Sequence, residues 1–403
     1  MALTVAHSMF FRGVLVLLVA TLIKPSVVSQ EINDQNDDAV IPGWRYEFQR
    51  EYELYRDYGN DWRLGSSFAV NSEDGLILAA GPILYHFGFR TFPYVYRMEL
   101  LAGVSIPTGR FKIAYSGLWP LISERMSLNV KAHASQLELI NFYGFGNQSE
   151  RDEEKEDAGY YRVPSTELLV QPSLQYMVGG MVFVGLGGAV KNFKVRGTEE
   201  DRLVNPSVLA QYGDDRTLGS LGLSLMIDTR DHPMAPHSGF SFELQAWNYL
   251  EVFGNQTSFQ KYTGELRLYA GDTILTDVML TLRVRAEFID GEFPVQEAVF
   301  LGGIGSLRGF ASQRFAGDAG LLGSAELRFS VGRWKLLVPT EVGLFVLADA
   351  GRVWVDDKSP GNFHTDVGGG VWLAPLSRDV ILSLAIASSV EGVFLAGGVG
   401  FGF

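Results

Sequence analysis

The chain contains no cysteine, so no disulfide staples its fold, and burial and hydrogen bonding must hold it. Base is in short supply too. Its 33 Lys and Arg stand against 46 Asp and Glu, a net charge of -13, which argues against nucleic acid as a partner because phosphate binding needs a basic face. Beyond the first 29 residues, no charge-free run reaches the ~18 residues that a helix needs to cross a bilayer. Helical spans are therefore excluded.

What is plentiful points elsewhere. The 46 glycines, the 12% aromatic content and the mean hydropathy of +0.09 suit an all-β protein that shows apolar surface to something other than water. At 403 residues, the length allows one large barrel or two or three ordinary domains. Residues 1–29 read as an export signal: Arg12 precedes the uncharged stretch Gly13 to Ile23, and Val27 and Ser29 sit at the small-residue positions before a cut at Gln30. Residues 30–60 read as a short periplasmic segment, polar and acidic, with aromatics at Trp44, Tyr46, Phe48, Tyr52 and Tyr55. Their pattern does not choose between a short amphipathic helix and a strand-like lead-in.

From Asp61 to Phe403 the chain alternates with period two. Leu280, Leu282, Val284, Ala286 and Phe288 share one face, while Thr281, Arg283, Arg285 and Glu287 share the other. In a soluble sandwich the apolar face would be the core, yet so many consecutive strands would leave sheet edges with no cover. A closed membrane barrel inverts the faces, apolar groups to lipid and charges to a wet lumen. About 16 strands are expected, near 62–71, 76–90, 94–106, 109–118, 123–146, 160–177, 179–195, 218–229, 239–250, 259–271, 276–289, 317–331, 338–353, 363–374, 379–389 and 393–403. An even count suits bacterial barrels. With the first strand rising from the periplasm, the long connections near 147–159, 196–217 and 290–316 all fall at the outer end, and most opposite links are short.

Four stretches stand out from this alternation. Phe300 to Phe310 is too glycine-rich for a strand interior and too apolar for a solvated loop, so a long loop that packs against something is expected. Its Gly303, Gly305 and Gly309 are spaced one residue too long for a nucleotide cradle. Asp228, Arg230, Asp231, Pro233, Pro236 and Gly239 make a proline-bearing turn that cannot join a ladder. His232 and His237 on that turn have no neighbouring ligands of metal-site spacing, and no metal or cofactor is expected. In Leu347 to Gly351, parity puts Glu341, Asp349 and Gly351 opposite Val342, Leu344, Val346 and Ala348, so Asp349 should face the lumen; Glu326 faces inward on the adjacent strand. The last strand carries Val393, Leu395, Val399, Phe401 and Phe403 on one face and glycines on the other.

Leu307-Arg308-Gly309-Phe310, the D-x-R-D-x-P-x-x-P-x-x-G turn and the x-x-Asp349-x-Gly351 pattern resemble the BamA/TamA-type superfamily of outer-membrane assembly and translocation barrels, the bacterial surface antigen family. The resemblance implies a transmembrane antiparallel β-barrel over 61–403, with a long loop folded into the lumen. It implies further that Arg308 pairs with an inner-wall carboxylate: Asp349 first, Glu326 as competitor, with Gly351 beside them. Val399, Phe401 and Phe403 resemble the terminal signal by which such barrels are recognised for insertion. The function implied is insertion or translocation of client polypeptides at the outer membrane, among lipid and lipopolysaccharide, without covalent chemistry. Large members carry POTRA domains where residues 30–60 stand, so either a separate periplasmic partner would take their place or clients would contact the barrel rim directly. The alternative is a passive or plugged pore, or a structural barrel without assembly activity.

Two further readings complete the pass. His133 and Ser135 have the i, i+2 spacing of a lipid-hydrolysing barrel, but parity places them with Ser127, Asn129 and Lys131 towards the lumen, where a lipase site would not sit. Glu150 to Asp157 reads as a solvated outer loop, and Phe142 to Asn147 before it as part of an aromatic girdle.

Overall fold

The computed structural model describes residues 59–399 except 72–73, 90, 92–93, 124, 197–201, 205–214, 233–234, 253–257, 274–276, 336–337, 377 and 379–380. The export signal, nearly all of the N-terminal segment, Pro233, Phe401 and Phe403 thus lie outside the described residues.

Among the described residues sixteen strands form one continuous antiparallel sheet, a membrane β-barrel wall in which each wall strand pairs with the next wall strand along the chain. They are β1 (Gly59–Asn71), β2 (Gly75–Phe87), β3 (Tyr96–Ser105), β4 (Phe111–Ser123), β5 (Met126–Asn141), β6 (Arg162–Gly179), β7 (Val182–Val195), β8 (Asp215–Asp228), β9 (Ser238–Leu250), β10 (Phe259–Thr273) and β11 (Asp277–Gly291). After a break the wall resumes with β14 (Ala319–Lys335), β15 (Pro339–Trp354), β16 (His364–Pro375), β17 (Leu382–Ser389) and β18 (Gly392–Val399). β12 (Val299–Leu301) and β13 (Phe315–Gly317) pair with each other and with no wall strand, inside the long connection that the wall skips, and Ala316 also bridges Phe145 of the outer loop. All sixteen wall strands begin within three residues of their expected starts, the first at Gly59 rather than at residue 62. Neither β12 nor β13 was anticipated, because three residues are too few to show a period.

Burial is inside out relative to a soluble protein. Leu282 is 38% exposed, whereas its neighbours Thr281 and Arg283 are 0% and 5% exposed. On β15, Leu344 and Val346 point outward, while Phe345, Leu347 and Asp349 are buried. Such a wall lowers its free energy by meeting hydrocarbon, since its backbone groups, those on the outer edges of β1 and β18 apart, are bonded within the ladders. Among the described residues no helix is long and apolar enough to cross a membrane.

The long connections 142–161, 196–214, 292–318 and 355–363 follow alternate strands and so open at one end, which we take as the outer end. Links at the other end are mostly two or three residues, with 88–95, 229–237 and 376–381 the longer ones. The acidic run is not all loop. It contains a single helical turn, α1 (Glu153–Asp157), capped by Asp152, whose side chain accepts the Glu154 and Lys155 N–H groups. The aromatics before it are not a lipid-facing girdle either. Phe142 packs with Val163, Val195, Val295 and Ala316, and Tyr143 with Tyr161 and Ala311, because the loop folds inward over the barrel mouth.

Candidate functional site

Residues 292–318 leave the outer end of β11, turn back into the barrel and return to the start of β14. A 3-10 turn (Val295–Glu297) leads into the β12–β13 hairpin, whose tip spans 302–314. The hairpin is held by apolar packing first: Leu301, Leu307, Phe310 and Phe315 meet Leu322 of β14 and Val353 of β15 in one buried cluster. Glycine is required at its base, since Gly302 has φ of 119° and a Cβ there would fall 2.4 Å from the Ala311 carbonyl oxygen. At Gly309 the loop backbone touches the wall, where a Cβ would fall 2.5 Å from that of Asp366.

Between those two glycines sits Arg308, itself only 4% exposed. Its Nε donates to Asp349 Oδ2 at 2.7 Å and its Nη2 to Asp349 Oδ1 at 2.8 Å, a fork on one carboxylate of β15. Its Nη1 donates to Glu326 Oε1 on β14. The two inner-wall acids are thus joint partners rather than competitors. Glu326 Oε2 also accepts from Arg328 Nε at 2.7 Å, and Asp366 of β16 stands opposite Asp349 in the register. Gly351 takes no part in pairing. It makes room, because a Cβ there would fall 3.0 Å from Leu301 Cδ1 and 3.3 Å from the Leu307 methyls.

Three further anchors were not legible in the sequence. At the tip, Arg283 of β11 donates through Nη1 to the Gly305 carbonyl at 2.8 Å while Glu265 holds its other nitrogens. At the root, buried Glu297 meets Lys191 Nζ at 3.2 Å and accepts from Tyr249 OH at 3.1 Å. Above the hairpin, Asn147 Nδ2 donates to the Pro360 and Asn362 carbonyls at 3.1 and 3.0 Å, and its Oδ1 accepts the Val353 N–H at 3.2 Å. Outer loop 142–161 is thereby tied to β15 and to the connection after it. Beside it Tyr143 OH donates to Glu156 Oε1 at 2.8 Å; burial, then that carboxylate, holds the phenol above its ordinary pKa. Each anchor is a lone polar residue whose partner lies far along the chain, so no local spacing marks it.

The turn between β8 and β9 closes on itself. Arg230 Nη2 pairs with Asp228 Oδ2 at 3.0 Å, and Asp231 Oδ1 accepts the His237 N–H at 2.8 Å and the Ser238 N–H at 3.2 Å. Gly239 ends it with φ of 100°. Ala235, beside Pro236, packs on an apolar patch of inner wall that includes Phe345, Leu347 and Trp372. Among the described residues no cluster of three metal-ligating side chains occurs. His133 Nε2 lies 2.9 Å from Glu167 Oε1, and Ser135 Oγ accepts the Leu137 N–H at 3.1 Å, so both belong to wall packing. On β18, Val393 and Leu395 face outward, whereas the side chain of Val399 lies outside the description.

A strand wall facing lipid with an arginine-bearing hairpin latched inside it defines an outer-membrane β-barrel with a lumenal loop. Residues 111–380 match the Omp85 superfamily domain, and the chain belongs to that superfamily. BamA from Haemophilus ducreyi lacking POTRA domains 1-3 is similar in fold, with a TM-score of 0.58 at 14% identity, over 85% of this chain and 70% of that one. CdiB from Acinetobacter baumannii gives 0.54 at 11%, over 87% and 60%, and CdiB from Escherichia coli 0.54 at 15%, over 85% and 63%. No curated protein sequence matches the chain.

Proposed function

We propose that this barrel inserts client polypeptides into the outer membrane, or translocates them across it, by transient displacement of its lumenal loop. One observation carries the reading. The hairpin of β12 and β13 shares no ladder with the wall, so it can leave without breaking a wall strand, and its buried polar attachment centres on Arg308 with Asp349 and Glu326. A segment meant only to fill space would need no buried ion cluster, which on removal of desolvation costs often does no better than apolar packing. The barrel similarity to BamA and CdiB supports the same reading at the level of fold. The wall would supply a path, the loop a barrier, and a separate periplasmic partner would deliver the client. The glycines at 397 and 398 weaken pairing at the β18 edge, where the wall would open sideways.

Reconstituted Arg308→Ala should lose client insertion while keeping its heat-modifiable barrel mobility on gels; insertion at the wild-type rate would refute the loop's part in it. A second reading is a plugged structural barrel, favoured by the sealing of the outer mouth through Asn147. Steady ion conductance that loop deletion barely changes would favour a pore instead.

A further inference from the structure

Six residues after Arg308 the loop carries a second buried arginine, Arg314, 4% exposed, whose partners lie neither on β14 nor on β15. Its Nε donates to both carboxylate oxygens of Glu391, at 2.8 and 3.1 Å. Glu391 sits in the outer turn between β17 and β18, at the tip of the last hairpin of the wall. The other end of the guanidinium turns towards the outer loop: Nη1 donates to Ser149 Oγ at 2.8 Å and Nη2 to the Ser149 carbonyl at 2.6 Å. Rings hold its plane, with Tyr143 centred 5.1 Å and Phe315 4.7 Å from the guanidinium carbon. The same hairpin is gripped a second time. Phe394 of β18 packs with Tyr143, Tyr161 and Ala311, and Arg151 lies 5.5 Å from its ring.

This arrangement is a coupling rather than a filler. An arginine fork that spends all three nitrogens on two separate segments fixes both to the loop, and an arginine forfeits part of that if either moves. We propose that Arg314 is a positioning residue that clamps the outer end of the β17–β18 hairpin to the lumenal loop, so that the loop cannot leave the lumen without releasing the last strand. The proposal rests on the insertion reading and deepens it. Displacing the loop and loosening the wall's terminal strand become one event, whereas Arg308 on β14 and β15 holds the loop without touching that strand.

The test is amide hydrogen exchange at Val393 to Leu395 in the full chain reconstituted in lipid. Arg314→Glu and Glu391→Arg should each speed exchange there about tenfold, and the double charge swap should bring it back near the wild-type rate. A role in general packing would not be rescued by the swap. Unchanged exchange in the single variants overturns the clamp, and so does a double variant as fast as the singles. Should Arg314→Glu fail to fold, Arg314→Lys serves: its ammonium reaches Glu391 but cannot also fork to Ser149, so exchange should rise by a smaller factor, and no rise overturns the proposal. If the exchange results hold while Arg308→Ala still inserts clients normally, the insertion reading fails and the clamp stands.

Discussion

At the scale of single residues, the lumenal cluster is governed by how little water reaches it. Arg308, Glu326 and Asp349 are all under 5% exposed, so removing the cation strands the Asp349 carboxylate and leaves Glu326 with Arg328 alone. Arg308→Ala should cost about 3–5 kcal/mol of loop attachment, against about 1 kcal/mol for a half-wet pair. Limited proteolysis within 302–314 would read the release. Asp349→Asn should release the loop less, because Arg308 keeps Glu326 and because the neutral amide removes a negative charge facing Asp366. Equal cleavage in the two variants would show that the Asp349 fork alone holds the loop. Gly351→Val tests packing without charge: the added methyls press on Leu301 and Leu307, and a loss of about 1–3 kcal/mol is expected, again read as faster cleavage. Parity along a strand fixes the face of a side chain, which is how Glu326 and Asp349 read as inward-facing, whereas the pairing of Arg308 with them was implied only by the family resemblance. Gly351 was assigned to the pair although its role is to be absent, and what fills a glycine's space is invisible until the loop is in place.

At the scale of elements, the lumenal hairpin and the wall are separate structures that share a boundary. Deleting 302–314 should leave every wall ladder formed, so the heat-modifiable mobility should persist while insertion is lost. Disappearance of that mobility would make the loop a structural strut. The wall strands were readable because eight or more residues of alternation outweigh any local ambiguity. β12, β13 and α1 were not, being three, three and five residues long. Phe142 and Tyr143 were placed at the lipid interface by composition, yet they lie under an infolded loop, since an aromatic near a strand end suits either setting.

At the scale of the whole molecule, the decisive quantity is which face meets hydrocarbon. Leu282→Arg puts a charge on the lipid face near mid-strand and should destabilise the barrel by about 2–4 kcal/mol in lipid, measured by denaturant unfolding in vesicles. Little or no loss would contradict the orientation of the wall. The edges of the wall, β1 and β18, offer a second test in a chain with no cysteine of its own. Leu64→Cys joined to Val399→Cys by a disulfide or short cross-linker should block insertion if the wall opens there; insertion at the uncross-linked rate would leave the loop as the sole moving part.

Alternation, turn spacing and the absence of long apolar runs were enough to specify sixteen strands, their two faces and the end at which the long loops gather. Those are local or period-two properties, and every residue carries its share of the signal. Joint engagement of Arg308 by two strands, the Glu297 and Asn147 anchors and the grip of Arg314 on the last hairpin arise differently. They join residues as distant as Asn147 and Asn362, 215 positions apart, and exist only once the loop has folded into the lumen and removed the water that would otherwise satisfy each group.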